Sequence, residues 1–288
     1  MFLGSVAQLW RHPVKSMRGD RLRRASVTEE FGVPGDRGWA LRDEKAGEIR
    51  GAKRLTSLLR CHARYLTEPE GAAAPTVEIT FPDGDSLTSD DERIDKALSE
   101  FLDRPVSLWP RQPADDHEHY RRVPFSSEQE LRQQIGLSPE DPLPDYSTLP
   151  AEVIEHLSQY ATPLGTYFDT MPLSLLSTTS MASLAELAPQ STVDSRRFRQ
   201  NIILDSGAAR SGFPEIDWVG HRLRIGPVLA EVVMPISRCV MVVLPQAELA
   251  HDRPILRSLV QQTDMNLGIY LRVLETGEIS EGDPVELC

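Results

Sequence analysis

Short apolar runs punctuated by glycine, aspartate and proline fill both ends of this chain, and that rhythm narrows the possible folds more than any other feature. Over residues 1–110, Ser26-Val27-Thr28 leads through Phe31-Gly32-Val33-Pro34-Gly35-Asp36-Arg37-Gly38 into Trp39-Ala40-Leu41-Arg42. Val77-Glu78-Ile79-Thr80-Phe81 then meets Pro82-Asp83-Gly84, whose Asp-Gly is a tight-hairpin signal. Strand-like runs return after 166, at 173–176, 198–205, 222–226, 228–234 and 267–274, and the chain closes on a turn and strand at 277–285. Residues 90–102 and 181–187 read as helices, the second capped by the hydroxyls of Ser177-Thr178-Thr179-Ser180. Many short strands with few helices argue for barrels or curled antiparallel sheets. The expected fold is mainly β with α (α+β): two β-barrel-like domains, 1–110 and 166–288, with a helical arm between them.

The arm, 111–165, has a different composition. Asp115-Asp116-His117-Glu118-His119 and Asp141-Pro142-Leu143-Pro144-Asp145 are polar or proline-rich. Ser127-x-x-Glu130 is a capping box that opens a helix ending near Gly136, and a second short helix is expected over 152–160. So polar a segment is a poor core element, so it should lie outside both barrels with its end near a pocket mouth. The His117/His119 pair reads as a solvated charged loop rather than a metal site.

Composition bears on partners. With 40% hydrophobic and 26% charged residues the chain is globular, and a net charge of −12 excludes nucleic acid as a general partner. No apolar run is long enough to span a bilayer, and the N-terminal residues lack the flanks of a signal peptide. The three cysteines, Cys61, Cys239 and Cys288, form neither a CxxC pair nor an even disulfide framework, which fits a cytoplasmic protein.

Five features carry chemistry. In Met234-Pro235-Ile236-Ser237-Arg238-Cys239-Val240-Met241, an arginine adjoins a cysteine, and a guanidinium favours the thiolate, a nucleophile and soft-metal ligand. The other four are Lys15-Ser16, after a strand end; Arg37, in a glycine-bounded turn; Ser177 to Ser180, at a strand-to-helix junction; and Arg196-Arg197-Phe198-Arg199-Gln200-Asn201. Together they describe an anion pocket within an acidic protein.

This combination resembles the MOSC family. His12-Pro13-Val14-Lys15-Ser16-Met17 and Gly35-Asp36-Arg37 are similar to signatures of the MOSC N-terminal β-barrel domain. Asp169-x-x-Pro172-Leu173, Ser177 to Ser180, Arg197-Phe198-Arg199-x-Asn201-Ile202, Arg238-Cys239 and Gly282-Asp283-Pro284-Val285 resemble the MOSC domain. The resemblance spans nearly everything except the arm and implies a bound molybdenum cofactor (molybdopterin). In relatives that reduce N-hydroxylated compounds, the cysteine matching Cys239 ligates molybdenum. By position, Lys15, Ser16, Arg37, Ser177, Thr178, Arg197, Arg199, Asn201 and Arg238 would hold the pterin and its phosphate. The implied protein is a molybdenum-dependent oxidoreductase acting on N-hydroxylated or related N- or S-oxygenated small molecules, with electrons from a separate donor protein. A sulfur carrier with a Cys239 persulfide and a non-enzymatic molybdopterin-binding protein are the alternatives, and pyridoxal phosphate binding is left open. Two departures stand out: Ile236, where relatives often carry Cys, Ala-Cys or Pro, and Val242-Val243, where they have Thr-Thr.

Overall fold

The computed structural model describes residues 1–141, 143, 155–156, 158–207 and 211–288. Strand β1 (Phe2–Arg11) turns Leu3, Val6 and Leu9 inward, a spacing of three that goes with its register shifts between Phe2 and Gly4 and between Val6 and Gln8. Short strands β2 (Asp20–Leu22) and β3 (Arg24–Val27) follow. β4 (Trp39–Asp43) then pairs with β5 (Glu48–Arg50), and β6 (His62–Tyr65), β7 (Val77–Thr80) and β8 (Ser86–Thr88) form a meander. The expected Asp83-Gly84 turn joins β7 to β8, with Gly84 in the left-handed region at φ +98°. β9 (Val106–Pro110) completes a three-stranded sheet with β4 and β5, braced by the helix Ile94–Leu102. Leu41, Leu58, Cys61, Ile79 and Leu98 fill the core between these elements.

The remaining strands are β10 (Leu173–Ser177), β11 (Ile202–Asp205), β12 (Arg222–Ile225), β13 (Val228–Ser237), β14 (Asn266–Glu275), β15 (Gly277–Ser280) and β16 (Pro284–Leu287). Seven strands close a barrel in the order β1, β16, β12, β13, β14, β10, β11 and back to β1. Leu173, Leu175, Ile202, Leu223, Val232, Ile269 and Val285 pack its interior. β10 is buried along its whole length because the helices Thr178–Leu187 and Arg253–Gln262 cover its outer side with Leu184, Leu256 and Leu259. The helix Thr178–Leu187 carries the chain from β10 to its parallel neighbour β11.

Packing does not follow the order of the chain. β1 lies between β16 and β11, with a register shift between Val6 and Gln8, and β3 pairs with β15. Gly4 makes this closure possible: a Cβ there would stand 2.0 Å from the Asp205 carbonyl oxygen.

The arm departs from expectation. One half of its capping box forms, Ser127 Oγ accepting from the Glu130 N–H at 3.2 Å, while the Glu130 carboxylate accepts from the Ser126 N–H, and the helix Glu128–Ile135 stops at Gly136 with φ +85°. Yet Tyr120 is fully buried with Ala40, Ile49 and Tyr167, and Leu137 joins the cluster under the helix Arg253–Gln262. His119 is buried too, its Nε2 2.6 Å from the Tyr167 hydroxyl. A few apolar anchors set among acidic residues are enough to pin a segment whose average composition is polar. The Asp141 to Asp145 run and the helix expected over 152–160 lie partly outside the described residues; Glu155, His156, Ser158 and Gln159 are helical.

Candidate functional site

The site is built from the turn before β4, the stretch that leads into β10, the residues just before β11 and the segment just after β13. Its pivot is Asp36, buried in the turn before β4. Asp36 accepts from the His12 backbone N–H at 2.7 Å and from Asn201 Nδ2 at 3.0 Å, and it pairs with Arg37. Burial opposes its charge, but Arg37 and the bonds from His12 hold its carboxyl far below the usual range. Arg37, at φ +50°, donates from Nη2 to the Arg199 carbonyl at 3.1 Å. One buried carboxylate thus joins the N-terminal turn to the start of β11.

Lys15 reaches across from the same turn. Its Nζ donates to the Tyr167 carbonyl at 2.9 Å and to Asp169 Oδ1 at 2.6 Å. Lys15 is nearly covered, 12% exposed, whereas Asp169 is 69% exposed. Burial pulls the Lys15 ammonium down and Asp169 restores it; the Asp169 carboxyl is held low against desolvation by Lys15, Lys53 and Arg37. Ser16, at φ +69°, accepts from the Ala52 N–H at 2.9 Å.

Two further guanidiniums border this mouth. Arg199, at φ +54°, donates to the Met17 carbonyl at 2.5 Å, and its buried Nη2 has no hydrogen-bond partner. Burial and neighbouring Arg37 lower it to about 9. Arg238 donates to the Leu267 and Phe198 carbonyls at 2.8 and 2.9 Å and lies 5.5 Å from the Phe198 ring; its Nη2 is likewise buried and unpartnered. Burial lowers Arg238 to about 10, against the opposing fields of Tyr270, Cys239, Glu215 and Asp169. Gly268, at φ +78°, keeps the space beside that guanidinium clear, since a Cβ there would stand 3.2 Å from Nη2.

Cys239 follows Arg238 directly. It caps the short helical turn Val240–Val243 in extended conformation, and its thiol is half-buried. Cys61 is enclosed and pushed up to about 12 by burial, and Cys288 is exposed at the far end of β16. Cys239 alone among the three is both within reach of solvent and inside the electrostatic reach of a buried cation. Lys15, Arg37, Arg199 and Arg238 therefore stand with two carboxylates, Asp36 and Asp169, so the group is net cationic, and Cys239 adjoins it through Arg238. Such a set favours an anion bearing several acceptor oxygens.

The other residues expected here spend their polar groups within the chain. Ser177 donates to Glu215 at 2.7 Å and Ser180 does so at 2.6 Å, so this helix N-terminus already faces a carboxyl group from within the chain. Burial raises the Glu215 carboxyl despite those bonds. Thr178 accepts from the Ser206 N–H at 3.4 Å. Arg197 is fully buried and donates to the Thr192 and Ala250 carbonyls at 3.0 and 2.8 Å, bracing the loop after Cys239. Asn201 ties β11 to β10 through Ser174 and to Asp36, and makes its contacts within the scaffold. Ile236, Val242 and Val243 are core residues. Among the described residues, no group of three or more His, Cys, Asp or Glu side chains could hold a metal ion, and no helix is long and apolar enough to cross a membrane.

Sequence reasoning passed over Asp36, Asp169, Lys53, Tyr270 and Glu215. The first two stand inside motifs already noticed, but only the folded contacts show a carboxylate acting as a pivot.

Comparison with known proteins identifies the class. The MOSC N-terminal beta barrel domain matches residues 3–115 and the MOSC domain matches residues 164–286, together most of the chain, which belongs to the MOSC family. Similar solved structures include the YuaD protein from Bacillus subtilis, at 10% identity over 99% of this chain and 94% of that one, with a TM-score of 0.46. YiiM from Geobacillus stearothermophilus, at 22% identity, covers 41% of this chain and 54% of its own, with a TM-score of 0.32. YiiM from Escherichia coli, at 17% identity, covers 43% of this chain and 58% of its own, with a TM-score of 0.31. No curated protein matches the chain.

Proposed function

We propose that this protein binds the molybdenum cofactor, molybdopterin with its metal, in the cationic mouth and acts as a cytoplasmic oxidoreductase. Its substrates would be N-hydroxylated or related N- or S-oxygenated small molecules. Two electrons from a separate donor protein and two protons would leave the reduced compound and water. MOSC domains are associated in general with this cofactor. The observation that carries the reading is the pair of buried, unpartnered guanidinium edges of Arg199 and Arg238, the second next in sequence to the half-buried Cys239.

The donor set suits the group. Lys15, Arg37 and Arg199 would hold the pterin and its phosphate by charge-assisted bonds, with Ser16 shaping the turn that carries Lys15. Cys239, next in sequence to Arg238, would offer its sulfur, a soft ligand fit for molybdenum. When bound, the cofactor supplies the two-electron redox chemistry. Asn201 and Arg197 support the site from behind, fixing the start of β11 and the loop after Cys239. Ser177 and Thr178 act in this reading as helix-capping groups around Glu215.

The test is elemental analysis and turnover with an artificial electron donor, on protein made in a host that synthesises the cofactor. Molybdenum should be near stoichiometric. Cys239→Ser should lose reduction while keeping its unfolding transition, because a hydroxyl is a harder and less acidic donor than a thiol. Lys15→Ala and Arg199→Ala should each weaken cofactor retention roughly tenfold or more, whereas Arg121→Ala, on the exposed Glu118 pair, should not. Full reductase activity in Cys239→Ser would sink the assignment. Sulfane sulfur on Cys239 without molybdenum would replace it with sulfur transfer.

A further inference from the structure

Tyr167 is held at both ends. Its ring is fully buried with Ala40, Ile49 and Tyr120, and its hydroxyl donates to the Pro110 carbonyl at 3.0 Å. Its own carbonyl accepts from Lys15 Nζ at 2.9 Å. The hydroxyl has one proton and Pro110 takes it, so His119 Nε2, 2.6 Å away, is the donor in the second bond. Burial holds the His119 ring below its ordinary range, in keeping with a neutral imidazole protonated on Nε2. That ring sits in the arm, 5.4 Å from Trp109 and 5.1 Å from Tyr120.

These bonds close a loop through the sheet. Pro110, in β9, stands opposite Trp39 in β4, and the Trp39 carbonyl accepts from the Lys15 backbone N–H at 2.8 Å. Lys15 is therefore fastened twice to one scaffold. Its main chain is tied to β4, and its ammonium to the residue whose hydroxyl rests on β9. A largely buried ammonium needs fixed acceptors. Of the two that Lys15 has, Asp169 shares its carboxylate with water and Tyr167 alone is enclosed.

We propose that His119 and Tyr167 are positioning residues for Lys15: the histidine of the arm locks the Tyr167 hydroxyl, and the Tyr167 carbonyl sets the ammonium in the mouth. The arm then belongs to the machinery of the site, and loosening it loosens the cation that an anion in the mouth would meet. This placement of Lys15 stands whatever the mouth binds. Its service to cofactor retention rests on the reading above.

Amine acylation of the purified full chain, followed lysine by lysine in a mass spectrometer, tests the proposal, with exposed Lys96 as internal reference. A loosened Lys15 loses a bond that favours its charged form and gains access to reagent, and both speed the reaction. Tyr167→Phe and His119→Leu should each accelerate Lys15 roughly fivefold, what one net hydrogen bond is worth, and leave Lys96 unchanged. His119→Gln, whose amide N–H replaces the Nε2–H, should restore the wild-type rate. Tyr120→Phe takes a hydroxyl from the same cluster but spares the tie, so Lys15 should not respond. Each variant is checked for cooperative unfolding, and the two His119 variants suffice if Tyr167→Phe fails to fold. An unchanged Lys15 rate in folded Tyr167→Phe or His119→Leu overturns the proposal. An equal rise in Tyr120→Phe overturns it as well, because the effect would then be general loosening. Molybdenum content separates the two readings: a wild-type chain without the metal defeats the cofactor assignment and leaves the Lys15 result standing.

Discussion

His12 shows how much one buried side chain in this protein carries. Its backbone N–H holds Asp36, its ring is enclosed, and burial with the nearby Arg199 drops it from 6.5 to about 3. The folded state therefore refuses a proton that the unfolded chain accepts. Stability from this residue is fully present above about pH 6.5 and is lost as pH falls towards 3, at up to ~1.4 kcal/mol per pH unit. Urea unfolding measured across that window should show this slope, and His12→Gln should flatten it. An unchanged slope in the variant would mean that His12 is charged in the folded protein. The cations of the site were legible in sequence because Lys15, Arg37, Arg199 and Arg238 fall in short, unusual motifs. Their counter-charges were not, since Asp36 and Asp169 are two among 43 acidic residues and only folding separates a pivot from a solvated surface group. Ser177 and Arg197 are hard to read for a related reason: a hydroxyl or guanidinium in a motif has no label saying whether a backbone carbonyl, an internal carboxyl or a ligand will take it.

At the level of elements, the arm is the part composition described least well. Periodicity and caps found its helix Glu128–Ile135 and the stop at Gly136, because those signals are local. Burial of Tyr120 against Ala40, Ile49 and Tyr167 is a tertiary fact that no local pattern reports. Tyr120→Ala should therefore cost about 3–5 kcal/mol in denaturant unfolding, as for other large buried aromatics. A loss under ~1 kcal/mol would restore the arm to the surface. Tyr120→Phe keeps the packing but removes the hydroxyl that bridges the Gln112 N–H and carbonyl at 3.0 and 2.6 Å, so it should cost less. Deleting 115–140 would take Tyr120 and Leu137 together, and should damage the folded state rather than merely trim it.

For the whole molecule, the strand rhythm announced barrels correctly, but it could not say which strands would share one. Pairing partners far apart in the chain leave no local trace, and β1 is the clearest instance, seated between β16 and β11. A fragment of residues 166–288 should on this account lack a closed barrel. It should show weak amide-exchange protection in β11 and β16, and a peptide of residues 1–11 added in trans should restore it. A fragment that is well protected by itself would mean that β11 and β16 can close the gap without β1.

The same closure sets a timetable for synthesis. In synthesis β1 must wait for β16, because Phe2 pairs with Glu286. At roughly 5–20 residues per second the wait is on the order of tens of seconds. During it Leu3, Val6 and Leu9 have no barrel to enter, so the newborn chain displays a sticky strand that a chaperone must shield or the β4–β9 layer must shelter. Yield on expression should then depend on how fast the message is read through the codons of β16, far from any residue of the site.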